Sequence, residues 1–302
     1  MNYLDETFLG NHDKDYQNQW CTATKLYWIP EDIDFSSDKS DFEKLCEEEK
    51  ELIKRILAFF LISDSIIADN ATEFSSTTRD IALKSFYRNQ ASMEDTHNKT
   101  YSDMVKTLFS DNDFNYIYEI LNWVSINKKR DFTVYATSSK DLGEKIFTFG
   151  CIEAVFFSAS FVIPMWYRTK GLLPGITKGN QYIMRDEFLH WSTAALRIRK
   201  EYNDIDHHNR FMTIANQVID LEMEYCKEIL PNDISDLTLF KLKQYVLYTI
   251  NKYLKYCDMP YDELTNPFSF GDINDMIIKT NFFESTPTTY SMSINEIDFN
   301  FE

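Results

Sequence analysis

Between Glu31 and Leu142 the chain carries neither glycine nor proline, and the same holds from Asn180 to Leu230. These two residues dominate turns. Glycine reaches positive φ at no steric cost, and proline fixes φ and lacks a backbone donor. A chain with so little turn punctuation is built from long helices. Seven glycines in 302 residues, against an average usage of about 7%, extend the point to the whole molecule. Length alone suggests about two domains, but this composition favours one large all-α bundle with a sizeable core.

Acidic residues outnumber basic ones, 48 to 31, for a formal net charge of −17. A surface of that sign argues against binding nucleic acid or an anionic membrane through a basic patch. The five cysteines (Cys21, Cys46, Cys151, Cys226, Cys257) are scattered, odd in number and without Cys-x-x-Cys spacing. That is the usage of reduced thiols rather than of a disulfide frame. Met1 to Gly10 holds two acids and no apolar run, so no signal peptide is read there. A cytoplasmic protein is expected.

The pattern divides the chain into an N-terminal arm (1–40), a helical body (41–260) and a C-terminal segment with a tail (261–302). The arm is mixed, aromatic and polar, without a helical stripe, and is expected to lie across the body. Trp28 within it reads as a large apolar anchor. Periodicity predicts helices over about 41–73, 75–109, 114–136 (one helix or a pair), 144–168, 178–202, 208–230 and 235–257. Segment 144–168 is long and apolar enough to cross a bilayer. It stands alone, however, holds Glu153 inside it and lacks an orientation signal, so a buried core helix is favoured. Pro164 is expected to kink it near its end. The last residues, with isolated Tyr290, Ile294, Ile297, Phe299 and Phe301 among polar ones, look like a flexible tail. Such a tail is either frayed or a peptide that docks a partner.

Two helices carry the same short motif. Glu94-Asp-Thr-His97 lies in one and Glu187-Phe-Leu-His190 in another, and together they take two of only five histidines. Residues three and four apart share a helix face, so each pair offers a carboxylate and an imidazole to one ion, with Tyr101 one turn above His97. Asp64 lies in the most apolar part of its helix, where an unpaired carboxylate costs several kcal/mol. Pairing with an arginine or lysine is one account of it, and a metal ion is the other. With Glu153, four helices then each offer inward ligands, the arithmetic of the di-metal carboxylate bundles. Four carboxylates balance two divalent ions, whereas the same groups without metal repel one another. Oxygen and nitrogen donors without thiolate suit iron or manganese better than structural zinc.

The residues in this arrangement resemble those of the small, radical-generating subunit of class I ribonucleotide reductase. The resemblance runs from Tyr27-Trp28 to the C-terminus. It rests on Ser63-Asp64, Met93 to Tyr101, Ile152-Glu153 with Phe157 and Phe161, Arg185-Asp186-Glu187-x-x-His190, Asn266-Pro-Phe268 and Lys279 to Glu284. It implies Asp64 and His97 on one iron, Glu153 and His190 on the other, and Glu94 and Glu187 bridging. It further implies a tyrosyl radical on Tyr101, formed with molecular oxygen, in a pocket that includes Phe157, Phe161 and Ile183. A phenylalanine at position 101 would have implied manganese; the tyrosine implies a di-iron centre. Trp28 and Asp186 match the electron-transfer residues, with Asp186 between His97 and the indole, and Arg185 reads as an ion-pair partner of Asp186. Tyr290 matches the tail tyrosine that hands the radical on. Ile67-Ala68-Asp69-Asn70, Phe188 and Trp191 depart from the commonest pattern without removing a motif residue.

The resemblance therefore implies a ferritin-like homodimer that is active only with a large catalytic subunit, bound through the tail, in making deoxyribonucleotides from ribonucleoside diphosphates. Nucleotide would bind that partner, since no glycine-rich phosphate loop is present here. Two other readings share the ligands: another di-iron oxidase of the desaturase or hydroxylase kind, and a radical-free ferritin-like subunit. The first gives no reason for Trp28, Asp186, Tyr290 and the tail motif together.

Overall fold

The computed structural model describes residues 7–10 and 12–270, apart from the side chains of residues 62–68, 111–112 and 136–137. Eleven α-helices follow one another among the described residues: α1 (Lys14–Lys25), α2 (Asp38–Lys44), α3 (Glu47–Ser76), α4 (Ile81–Leu108), α5 (Asp111–Ile120), α6 (Val124–Thr137), α7 (Leu142–Cys151), α8 (Ser158–Thr169), α9 (Pro174–Glu201), α10 (Ile205–Ile229) and α11 (Leu239–Tyr256). A 3₁₀ turn at Pro30–Asp32 follows α1, and a π-helical turn at Ile152–Phe156 joins α7 to α8. No strand occurs among the described residues. The fold is the all-α bundle the sequence predicts.

Side chains that take up the free amides of a first turn set several helix starts. Asp80 Oδ1 accepts from the amides of Ala82 and Leu83 at 2.9 and 3.0 Å, opening α4. Asp141 caps α7, Asp204 caps α10 and Thr238 caps α11 in the same way. α9 is capped from outside. Pro174 stands at its first position, and the fully buried Asp38 of α2 accepts from Gly175 N at 3.0 Å and Ile176 N at 2.9 Å. A Cβ on Gly175 would stand 2.6 Å from Asp38 Oδ2, so this approach requires glycine.

α3 packs most extensively on α4, and α9 packs on α7, α8 and α4. The inner face of α4 repeats at three and four residues through Gln90, Glu94, His97, Tyr101 and Met104, all buried. That spacing is what one stripe of a 3.6-residue helix requires. Within the long apolar segment Leu142–Thr169, residues 146–167 are buried inside the bundle, as expected of a core helix.

Three expectations change. The predicted helix from 41 is two helices, because Leu45 and Cys46 are extended and the Cys46 amide is taken by the Glu49 carboxylate at 3.3 Å. The arm contains a helix, α1, which packs on α4 and α9. In the apolar segment, α8 runs through Pro164 to Thr169, and the departure from α geometry lies upstream at Ile152–Phe156.

Candidate metal centre

α4 brings Glu94 and His97 inward, α9 brings Asp186, Glu187 and His190, and the π-helical turn brings Glu153; all six are buried. His97 Nδ1 lies 3.2 Å from Glu94 Oε2 and 3.1 Å from Glu187 Oε1. His190 Nδ1 lies 3.1 Å from Glu94 Oε1, 3.3 Å from Glu153 Oε2 and 3.4 Å from Glu187 Oε2. Glu94 and Glu187 thus each face both imidazoles. Ligand atoms of Glu94, Glu153, Glu187 and His190 all fall within 4.8 Å of one another. The helix of Asp64 is described, but its side chain lies outside the described residues, as do Tyr290 and the tail.

Behind His97 runs a second set of contacts. Trp28 Nε1 donates to Asp186 Oδ2 at 2.6 Å, and His97 Nε2 is 3.2 Å from the same oxygen. With Nε2 as the protonated nitrogen, Asp186 fixes the ring so that Nδ1 faces Glu94 and Glu187. The indole and imidazole rings lie 6.1 Å apart at 20°. Arg185 stands 3.4 Å from Asp186 Oδ1 but makes its shorter bond, 2.6 Å, to the Leu26 carbonyl of the arm. Tyr101, one turn beyond His97, is buried, with Phe60 stacked on it at 4.5 Å and 5°. Phe157 and Phe161 stack in turn on Phe60.

Burial disfavours charge on both histidines, yet the surrounding carboxylates win. Asp186, Glu187 and Glu94 raise the pKa of His97 well above that of a free imidazole. Glu94, Glu153 and Glu187 do the same at His190. Burial, with Glu187 and Glu94 beside it, pushes Glu153 far above the usual carboxyl range. Glu187 goes the other way: burial opposes its charge, but bonds from Glu153, His190 and His97 hold it low. Without cations, then, the cluster is held together by protons. Even so, both oxygens of Glu94, Oε2 of Glu187 and Nδ1 of His97 are buried, and their 3.1–3.4 Å ionic approaches lack the alignment of hydrogen bonds. Each such group costs roughly 1–3 kcal/mol. Divalent ions would satisfy all of them and displace the protons, so this donor set fits a metal centre.

A family model described as the small chain of ribonucleotide reductase matches residues 8–264. The chain belongs to the ribonucleotide reductase small-chain family. The ribonucleoside-diphosphate reductase small chain of Yaba-like disease virus is 31% identical over 284 residues, 92% of this chain and 87% of that one. A plant relative, a ribonucleoside-diphosphate reductase small chain of Arabidopsis thaliana, is 30% identical over 275 residues, 89% of this protein and 82% of that one. Among solved structures, the ribonucleotide reductase Rnr4 homodimer from Saccharomyces cerevisiae superposes with a TM-score of 0.79 at 23% identity, covering 88% of this chain and 86% of that one. The dimanganese(II) NrdF of Streptococcus sanguinis gives 0.80 at 18%, covering 90% and 98%. This protein is thus a small chain of ribonucleoside-diphosphate reductase on the ferritin-like fold of its structural neighbours.

In this reductase small chain the structure brings together Trp28, Glu94, His97, Tyr101, Glu153, Asp186, Glu187 and His190 as one buried group. Sequence reasoning missed Gln90, whose amide donates to Glu153 Oε1 at 3.0 Å. Its position one turn before Glu94 was the available signal. Phe60, the ring stacked on Tyr101, was not singled out either, because by pattern it is one more apolar residue of its helix.

Proposed function

We propose that this reductase small chain assembles a di-iron centre that, with molecular oxygen, oxidises Tyr101 to a tyrosyl radical for use by the large subunit in reducing ribonucleotides. Asp64 and His97 are assigned to one iron, Glu153 and His190 to the other, and Glu94 and Glu187 to both. The observation that carries the reading is the chain of contacts from the Trp28 indole through Asp186 to His97. It joins the ligand cluster to an aromatic side chain of the arm, which a metal store or an oxidase acting on a bound substrate would not need.

When bound, the iron pair supplies the oxidising power drawn from oxygen. This chain's own residues do the rest. Glu94 and Glu187, each facing both imidazoles, would offer an oxygen to either ion. Asp186 accepts the N–H of His97 and so directs Nδ1 inward, and its second bond, from the Trp28 indole, makes Trp28 and Asp186 the electron path out of the site. Phe60, Phe157 and Phe161 keep water from Tyr101, whose phenol would be quenched in an open site.

The test is an EPR spectrum after ferrous iron and oxygen are added to metal-free protein. The wild type is expected to take up an iron pair and show a tyrosyl signal, and Tyr101→Phe to take up the same iron and show none. A normal signal in the variant would move the radical to another of the eighteen tyrosines, and failure of the wild type to bind iron would overturn the whole reading. The small chain is further assigned as a homodimer that docks the large subunit through Ile297, Phe299 and Phe301, with Tyr290 passing the radical on. Truncation after Asn295 should leave iron and radical intact and abolish large-subunit binding in a titration; normal binding would place the docking element elsewhere.

A further inference from the structure

Glu153 is the one candidate ligand that does not sit on a regular α-helix. In the π-helical turn Ile152–Phe156 each carbonyl bonds one residue further along than in an α-helix, so backbone groups at the junction with α8 lose their partners. A buried ion pair from two other helices supplies one at the Phe156 carbonyl. Lys129 of α6, 2% exposed, donates to the Phe156 carbonyl at 2.7 Å and to Glu222 Oε2 of α10 at 2.7 Å. Glu222, fully buried, also faces the Ala159 amide in the first turn of α8 without closing a hydrogen bond to it. The Lys129 ammonium lies 3.9 Å from the ring centres of Phe59 and Tyr225 and 4.8 Å from that of Phe156. Tyr225, one turn along α10 from Glu222, is 2.8 Å from Ser160 Oγ on the next residue of α8.

We propose that Lys129 and Glu222 are positioning residues for the metal centre, an ionic splint across the break between the π-helical turn and α8 that sets where Glu153 presents its carboxylate. The inference rests on the assignment of Glu153 as a metal ligand. Burying two charges is expensive, and a pair of this kind is commonly replaceable by apolar residues with no loss of stability. This pair differs in being tied to one irregular turn: Lys129 takes the last carbonyl of the turn, and Glu222 holds Lys129 there while facing the first turn of α8. An apolar replacement would fill the space and leave the Phe156 carbonyl orphaned. The turn would then relax toward α geometry, a register change that rotates Glu153 away from Glu94, Glu187 and His190.

The test is a cobalt(II) titration of metal-free full-length protein, followed by visible absorption, beside thermal unfolding of each variant. Glu222→Gln keeps an acceptor for the Lys129 ammonium and should bind cobalt within about 3-fold of wild type. Lys129→Met/Glu222→Gln buries no charge but removes the donor to Phe156, and should bind about 10-fold or more weakly, the loss typical when a group that orients a ligand is deleted. A control, Arg197→Met, breaks a different buried network, made to Glu201, Thr77 and Tyr87. It should lower the unfolding temperature and leave cobalt affinity alone. Cobalt affinity of the double variant within 3-fold of Glu222→Gln would overturn the splint. If Glu153→Ala itself binds cobalt normally, the fault lies in the ligand assignment instead. Should the double variant fail to fold, Lys129→Gln in the Glu222→Gln background, whose shorter side chain falls short of Phe156, takes its place with the same two outcomes.

Discussion

Asp186 uses one carboxylate for three neighbours. Its Oδ2 receives the Trp28 indole and faces His97, while Oδ1 faces Arg185. The sequence reading made Arg185 simply the ion-pair partner of Asp186. Its stronger tie is to the Leu26 carbonyl, so the guanidinium fastens the arm and thereby seats Trp28. The indole N–H is the part of Trp28 that packing alone does not explain, and Trp28→Phe isolates it. Phenylalanine fills most of the buried volume, and the lost bond to a buried carboxylate costs about 1–3 kcal/mol, which a bundle of this size survives. Iron uptake and the Tyr101 signal should persist while nucleotide reduction with the large subunit falls to background. Wild-type turnover in that variant would return Trp28 to the role of an apolar anchor.

Helices whose function is written in spacing were legible from the sequence; those shaped by neighbours were not. α4 and α9 are recognisable because Glu-x-x-His places both donors on one face wherever the helix goes. The break between α2 and α3 left a local trace, since Glu47, Glu48 and Glu49 form an acidic first turn of the kind a helix dipole favours. That trace was overridden by the apolar stripe running on either side. α1 shows only Tyr16 and Trp20 as large apolar residues. Its place depends on partners nearly two hundred positions away: Lys200, which pairs with Asp13 and Asp15, and Glu201, which accepts from Tyr16. The π-helical turn has no letter of its own. Pro164 drew attention to the end of the segment, yet the register changes around Glu153, where Lys129 of α6, paired with Glu222 of α10, can serve a freed carbonyl. Lys129 sits in the run Lys128-Lys129-Arg130, which by pattern is a solvated face. Only the packed structure separates the buried member from its exposed neighbours.

At the scale of the whole molecule, the bundle brings like charges together at its centre and depends on something positive to hold them. Protons on His97, His190 and Glu153 serve in the metal-free protein, at the cost of leaving oxygens of Glu94 and Glu187 without aligned hydrogen bonds. Divalent ions serve better, and because the donors come from α4, the π-helical turn and α9, they cross-link the core rather than one element. A ligand that binds only the folded state adds RT ln(1 + [L]/Kd), about 2.7 kcal/mol at a hundredfold excess over Kd. In a chain of this length each kcal/mol moves the unfolding midpoint by about 1.6 °C. Loaded protein should therefore unfold roughly 4 °C above chelator-treated protein in calorimetry, a gap that widens with free metal. Glu94→Ala sharpens the expectation. Deleting this carboxylate takes an ionic partner from both imidazoles, so the metal-free variant should unfold below metal-free wild type, and the metal-dependent rise disappears. Equal midpoints for loaded and chelated wild type would mean that the buried cluster is held by protons alone and that cations play no part in holding the bundle together.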